Sequence, residues 1–540
     1  MHNPYALHAC VDGPWRRESG MGAESYNAVT ELLDRNADEG RADKVAFIDR
    51  QRRLTYGALQ ADTRRVANYL MKLGVRREER VALILLDTVD FPVVFLGAIR
   101  AGVVPVALNT LLSADQYAYM LGDSRARVLF ISAPLLKGLE PILPKLADLH
   151  TVVVVGEGAP SSHMSLAQAL ADMPATFETA PTHPDEPAFW LYSSGSTGRP
   201  KGVKHVHTSL METARLYGQG VLGIREDDVV FSAAKLYFAY GLGNALTFPM
   251  SVGATAVLLD ERPAPAAVLD LLRREQPTIF YGAPTGYAAV LADPAFADGI
   301  GSRRLRLCVS AGEALPEHLG RSWKERFGVD ILDGIGSTEM LHIYVSNAPD
   351  DIKYGATGRA VPGYDVRLVD ESSAEIPDGE IGEMLVRGPT AAEGYWNQRQ
   401  KSRSTFEGHW MRTGDKFVRD ADGRYTYFGR ADDMFKVSGI WVSPFEVESA
   451  LISHPAVLEA AVIPAGDKDG LLKPKAFVVL KDGGSAQNLD AALKDHVKAT
   501  VGPWKYPRWI EVVDSLPKTA TGKIQRFKLR DAEGQCGGRA

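Results

Sequence analysis

Between Ala61 and Leu73 the apolar residues Val66, Leu70 and Leu73 recur at helical spacing, and the run stops at Gly74. That pattern predicts an amphipathic helix ended by glycine. Four short runs that are apolar throughout follow: RVALILLD from Arg80, GVVPVALN from Gly102, RVLFIS from Arg127 and TVVVVGE from Thr151. Runs of this kind suit strands covered on both faces. Strands alternating with helices predict a doubly wound α/β architecture. From Tyr364 to Gly429 the pattern changes to short β-like pieces, YDVRLVD, GEMLVRG and YTYFG, set off by Gly, Asp and Pro turns. A small β-rich subdomain is expected over 364–430. Beyond Arg430 the pattern is α+β, with a helix from Pro444 and strands in AAVIPA and KAFVVL. The expected organisation is a flexible extension over 1–24, a large α/β domain over 25–430, and a small mobile α+β domain over 431–540. No internal repeat or low-complexity tract interrupts it.

Composition narrows the class. The 540 residues are 45% hydrophobic and 24% charged, with a formal charge of −6. Slight acidity argues against bulk binding of nucleic acid or an anionic membrane. Cys10, Cys308 and Cys536 make neither a disulfide framework nor a C-x-x-C metal spacing, and fit a reducing cytoplasm. No apolar run reaches the roughly 18 residues of a membrane-spanning helix. The first 24 residues lack the apolar stretch of a signal peptide. Translation from Met21 is an expectation that mass analysis of the native N-terminus tests.

The most informative segment is LYSSGSTGRPKGVKH, Leu191 to His205. An apolar lead-in, AFWLY, runs into Ser193, Ser194, Gly195, Ser196, Thr197 and Gly198, then Lys201 and Gly202. Small hydroxyl residues and glycines let backbone N–H groups turn toward phosphate oxygens, and Lys201 adds positive charge. The spacing matches neither G-x-x-x-x-G-K-[ST] nor G-x-G-x-x-G. A plain polar surface loop would not combine glycines, hydroxyls, Pro200 and Lys201 in this way.

The string resembles the signature of the adenylate-forming superfamily, which includes acyl-CoA synthetases, aryl-CoA ligases and luciferase-like enzymes. The resemblance covers roughly Ser25 to Arg530. SAGEALP from Ser310, with Ala311, Gly312 and Glu313, is similar to the family's adenine-side loop. DGIGSTEM from Asp333, with Gly334, Ile335, Gly336, Ser337, Thr338 and Glu339, looks like its adenine and magnesium motif. The family usually has tyrosine where this chain has Ile335, so adenine stacking there departs from the family. TGD at Thr413 matches the ribose motif, with Asp415 as hydroxyl acceptor. GRADDMFKVSG from Gly429 matches the interdomain hinge; the resemblance gives Arg430 to ribose or phosphate, Asp432 to the pivot, and Lys436, Ser438 and Gly439 to the nucleotide and pantetheine side. PKTATGK from Pro517 matches the motif that carries the catalytic lysine, here Lys523.

The chemistry needs such groups. A carboxylate is ionised at pH 7 without a general base. The barrier lies in bringing it to the α-phosphate of a polyanion, so catalysis is positioning plus charge stabilisation. The resemblance implies magnesium held through Glu339 with Thr197, phosphates held by the Ser/Thr/Gly loop and Lys201, and Lys523 bridging the carboxylate and the α-phosphate. Coenzyme A would then take the acyl group from acyl-AMP after the C-terminal domain turns at Asp432. Ser443, Pro444 and Glu446 look functional but read as a capping box that starts a helix.

The string AAKLYFAYGLGNALTFPM from Ala233 resembles benzoate– and 4-hydroxybenzoate–CoA ligases, as do the segments from Phe280 and Asp333. That likeness implies an aryl site of Tyr237, Phe238, Tyr240, Ala311, Gly334, Ile335, Gly336 and His342, roomy for a planar ring but closed to a long chain. Benzoate-specific relatives carry phenylalanine at position 237, so the Tyr237 hydroxyl tilts the expectation toward a hydroxy- or aminobenzoate. The resemblance further implies ATP, Mg2+ and coenzyme A as co-reactants, a homodimer as a common assembly, and acetylation of Lys523 by a lysine acetyltransferase. Two other readings remain: transfer of the acyl group to a carrier protein, and a catalytically silent binder of nucleotide or aromatic acid. Intact Lys523, Glu339, Asp415 and Arg430 weigh against the second.

Overall fold

Each of the four apolar runs is a strand: Arg80–Ile84, Val104–Ala107, Val128–Ser132 and Thr151–Val155. They lie parallel to their neighbours, and most of their residues are buried, as strands covered on both faces must be. The computed structural model describes residues 25–158, 160, 162–193, 199–437, 440–467, 471–481, 489–518 and 524–537. The N-terminal extension, Ser194 to Gly198, Ser438 and Gly439, and Thr519 to Lys523 therefore lie outside the described residues.

The helix expected from Ala61 runs Tyr56–Lys72. It begins earlier because Thr55 caps it, accepting from the Ala58 amide. Gly74 follows with φ 72°, a left-handed conformation that suits glycine. Against it packs Asp90–Arg100, a helix buried from Phe91 to Arg100 because strands and helices cover it all round. Gly97 makes that contact close: a β-carbon there would stand 2.6 Å from Val66.

Among the described residues two large sheets form the frame. One has eight strands and carries the four runs above, then Pro187–Ser193, Lys201–Val206 and Gly394–Tyr395 toward one edge. The other has nine strands, with Leu307–Ser310 and Ile331–Gly336 near one edge. The expected β-rich segment is a five-stranded antiparallel sheet built on Asp365–Val369, Ile381–Arg387, Trp410–Arg419 and Tyr425–Arg430. One piece of that segment leaves it, since Gly394 and Tyr395 pair with Lys204 and Val203 of the eight-stranded sheet.

After Arg430 come a two-stranded ribbon, the helix Pro444–Ile452, and a three-stranded sheet of Val457–Gly466, Leu472–Leu480 and Trp509–Val512. This α+β body has its own core around Val447, Leu451, Val462, Val478 and Leu493. Half of the expected capping box is present: Ser443 accepts from the Glu446 amide at 3.1 Å. The Glu446 carboxylate is instead taken by Lys505, at 2.6 and 2.8 Å, because a buried-edge ammonium outcompetes a backbone amide for it. No described helix is long and apolar enough to cross a membrane.

Candidate active site

The strands Pro187–Ser193 and Lys201–Val206 run antiparallel, and Ser193 pairs with Lys201 across the mouth of the Ser/Gly loop. Facing them is the turn after Ile331–Gly336. Ser337 Oγ accepts from the Met340 amide at 3.2 Å, and Leu341 takes φ 65°, a left-handed conformation rare for a branched side chain. The turn thereby presents Glu339. Its Oε1 accepts from Ser193 Oγ at 3.2 Å and from the Tyr395 hydroxyl at 2.8 Å, and lies 3.9 Å from Lys201 Nζ. The Lys201 and Glu339 side chains are each only 14% exposed. Burial pulls the Lys201 ammonium below its ordinary pKa, with Glu339 opposing. Ser193 and Lys201, expected at the phosphates, and Glu339, expected at magnesium, are thus brought together.

These donors suit a hard cation. Glu339 offers a carboxylate beside the Ser193 hydroxyl, oxygen groups of the kind a magnesium ion takes. A single carboxylate of this kind can hold an ion together with substrate phosphates.

Two residues that the sequence reading missed complete this part of the site. His205 Nε2 donates to the Thr338 carbonyl at 2.8 Å while its ring stacks on Phe189. Tyr395 is the other. Tyr395 belongs to no recognisable pattern, and His205, although it closes the segment LYSSGSTGRPKGVKH, is given no role there.

In the segments expected to face adenine, Asp333 is buried within the strand Ile331–Gly336, and burial pushes its carboxyl well above the ordinary value. Its Oδ1 is buried with no hydrogen-bond partner, which fits an amino-bearing base. Ala311 is buried beside it, while Gly312 has φ 96° with open space where a side chain would be, so a ligand can approach the backbone closely. Glu313 is half-buried. At Gly334 a β-carbon would touch Ile343 at 3.0 Å, and at Gly336 it would collide with the His342 carbonyl at 2.4 Å. Glycine is needed at Gly336, whereas at Gly334 the Ile343 side chain would have to give by a few tenths of an ångström.

The TGD segment kinks its strand. Gly414 has φ 70°, and Thr413 Oγ1 accepts from the Asp415 amide at 3.0 Å while donating to the Met384 carbonyl. Arg430 joins this turn to the expected pivot: its guanidinium reaches Asp415 Oδ1 at 3.2 Å, the Thr413 carbonyl at 3.1 Å and Asp432 Oδ1 at 3.5 Å. Lys436 is exposed on the strand Phe435–Val437.

The aryl-site residues separate by role. Tyr237 and Phe238 meet edge to face at 4.6 Å, and Phe238 is half-exposed. Thr110 Oγ1 reaches the Tyr237 hydroxyl at 3.4 Å, a long contact. Tyr240 donates to the Val309 carbonyl at 2.9 Å, so only its ring is left to offer a ligand. His342 is fully enclosed. Its Nε2 lies 3.2 Å from both the Tyr240 carbonyl and Asn244 Oδ1, and its Nδ1 is buried without a partner. Ile335 remains half-exposed beside it.

Burial lowers His205 and His207 to about 4 and His342 to about 3. It raises Asp87, which accepts the Leu236 amide on both oxygens, to about 6. The unfolded chain therefore binds more protons at the histidines below pH 6.5, and fewer at Asp87 between the ordinary carboxyl value of 3.8 and 6. Near pH 5 these four groups together favour the unfolded state by about two protons. Stability is expected to fall as pH drops from about 6.5 toward 4. Thermal unfolding between pH 7 and 4.5 checks the direction; a flat melting temperature would contradict it.

The sequence matches the AMP-binding enzyme family over residues 33–396 and the AMP-binding enzyme C-terminal domain over 446–523. It is 57% identical over 512 residues to a benzoate–CoA ligase of Thauera aromatica, covering 94% of this chain and 96% of that one. It is 55% identical over 513 residues to a 4-hydroxybenzoate–CoA/benzoate–CoA ligase of Rhodopseudomonas palustris, covering 95% of each. The structure is similar to that of an anthranilate–CoA ligase in complex with anthranoyl-AMP, with TM-score 0.92, 47% identity and 96% and 99% coverage. It is also similar to a benzoate–CoA ligase from Burkholderia xenovorans LB400, with TM-score 0.87, 49% identity and 94% and 100% coverage.

Proposed function

The chain belongs to the AMP-binding enzyme family and, within it, to the group of benzoate– and hydroxybenzoate–CoA ligases; from that premise we propose that benzoate is its principal acid and that the residues gathered on Glu339 form its adenylation centre. It is an acid–thiol ligase that uses ATP, Mg2+ and coenzyme A. The observation that carries the site assignment is the convergence of Ser193, Lys201 and Tyr395 on one oxygen of Glu339, at the mouth of the Ser/Thr/Gly loop.

In the first half-reaction the aryl carboxylate oxygen attacks the α-phosphorus of ATP. The bond to the β-phosphate oxygen breaks, pyrophosphate leaves and aryl-AMP remains. Glu339 would hold the magnesium ion, which when bound would supply charge neutralisation on the phosphates. Asp333 Oδ1 accepts from the adenine amino group, Asp415 binds the ribose hydroxyls and Lys201 takes the β and γ phosphates. Lys523 bridges the entering carboxylate and the α-phosphate, a task for a compact charge on a long stem. In the second half-reaction the coenzyme A thiolate attacks the acyl carbon and AMP leaves. Turning the C-terminal body about Asp432 withdraws Lys523 between the two steps.

Tyr237 supports a second reading of the acid. Its hydroxyl meets Thr110 through a long side-chain contact and through the backbone, and a phenol oxygen with these partners still has capacity for a ring hydroxyl or amino group of 4-hydroxybenzoate or 2-aminobenzoate. A cytoplasmic setting accords with three scattered cysteines in the chain. The experiment is pyrophosphate release with benzoate, 4-hydroxybenzoate, 2-aminobenzoate, cyclohexanecarboxylate and octanoate, with the thioester identified by mass. Benzoate is expected to lead. Preference for octanoate would refute the aryl site, and silence with every acid would refute adenylation itself.

A further inference from the structure

The segment from Thr390 to Tyr395 straps the Glu339 turn at three points. Thr390 Oγ1 donates to the Met340 carbonyl at 2.7 Å, the Ala392 amide donates to the Glu339 carbonyl at 2.8 Å, and the Tyr395 hydroxyl donates to Glu339 Oε1 at 2.8 Å. Tyr395 is held in turn. It pairs with Val203, its amide donates to Ser402 Oγ at 2.9 Å, and its ring is buried against Phe406. On the ring's face, 4.4 Å from its centre, sits Lys201 Nζ, which also donates to the Tyr395 hydroxyl at 3.4 Å.

A carboxylate and an ammonium that share a partly buried site close to a direct charge-assisted hydrogen bond when nothing intervenes. Here they stop at 3.9 Å. The Tyr395 hydroxyl occupies the shared oxygen, and its π face gives the ammonium another resting place. Resting on the reading of Glu339 and Lys201 given above, we infer that Tyr395 is a positioning residue that orients the Glu339 carboxylate for magnesium-bound nucleotide and keeps Lys201 from neutralising it. Without the hydroxyl, Lys201 closes on Glu339 and competes with the cation.

Tyr395→Phe keeps the ring and removes the donor. The full-length chain, this variant and Glu339→Gln are titrated calorimetrically with α,β-methylene-ATP, once with Mg2+ and once with EDTA. The quantity read is the ratio of the two affinities. In Tyr395→Phe the ratio is expected to fall about tenfold, the scale of one hydrogen bond to a charged group, while affinity in EDTA stays within about twofold. A melting temperature close to that of the parent accompanies this result. An unchanged ratio in Tyr395→Phe alone overturns the inference and leaves Glu339 as the magnesium residue. An unchanged ratio in both variants overturns the reading of Glu339 and the inference with it. Parallel losses with and without Mg2+ reduce Tyr395 to a packing residue and also overturn it.

Discussion

Replacing Lys523 by glutamine is expected to slow aryl-AMP formation by about 10²–10³-fold, the loss typical of removing one preorganised stabilising group. Formation of the thioester from aryl-AMP supplied ready-made should change little, because the proposed turn at Asp432 would withdraw Lys523 before the thiol attacks. The split is the informative part: pyrophosphate release collapses while consumption of added aryl-AMP and coenzyme A persists. Acetylation of Lys523 removes the same charge and should give the same split. Full pyrophosphate release by stoichiometrically acetylated protein would refute the role. Equal loss in both half-reactions would place the lysine in both.

Glu339→Gln carries the second large effect. The amide cannot supply the anionic oxygen that hard-cation chemistry demands, so kcat/KM for adenylation should fall about 100-fold. It also withdraws the charge that supports the Lys201 ammonium. Burial already lowers that group, and Glu339 is the opposing influence, so its removal lowers it further. The alkaline limb of the pH–rate profile in the variant should therefore move to lower pH than in the parent. Pyrophosphate release measured across the alkaline range checks the sign. A limb that moves upward would show that Lys201 is not the group being titrated.

Regular elements were legible in the sequence wherever burial is continuous. The runs at Arg80, Gly102, Arg127 and Thr151 are strands because both of their faces are covered, and an apolar run records that directly. The helix at Tyr56 was read five residues late; its first turn is capped by Thr55 and already buries Tyr56 and Leu59, but the polar run Gln60 to Arg65 separates these from the next large apolar residue, Val66. Tyr395 escaped notice for another reason. A two-residue strand has no periodicity, and its partner Lys201 is 194 positions away. His205 was equally silent: its hydrogen bond to Thr338 spans 133 positions. The Glu446 half of the capping box failed because Lys505, 59 residues further on, takes the carboxylate. Long-range polar pairings of this sort leave no local trace, whereas a Ser/Gly loop announces itself because its function depends on local composition.

The C-terminal body carries one further lesson, for anyone recombining such chains. Arg526, three residues after Lys523, grips Glu448 at 2.6 Å and Asp433 at 3.4 Å, while Arg530 reaches Asp433 at 2.8 Å. Asp433 directly follows the expected pivot, so the helix that begins at Arg526 is fastened to the first residue beyond it. Parental blocks exchanged with a junction anywhere between 434 and 525 would inherit one half of this fastening from each donor. A cut before Asp433 moves both halves as a single heritable unit, and hybrids joined there should keep the Arg526 helix in register where those joined later lose it.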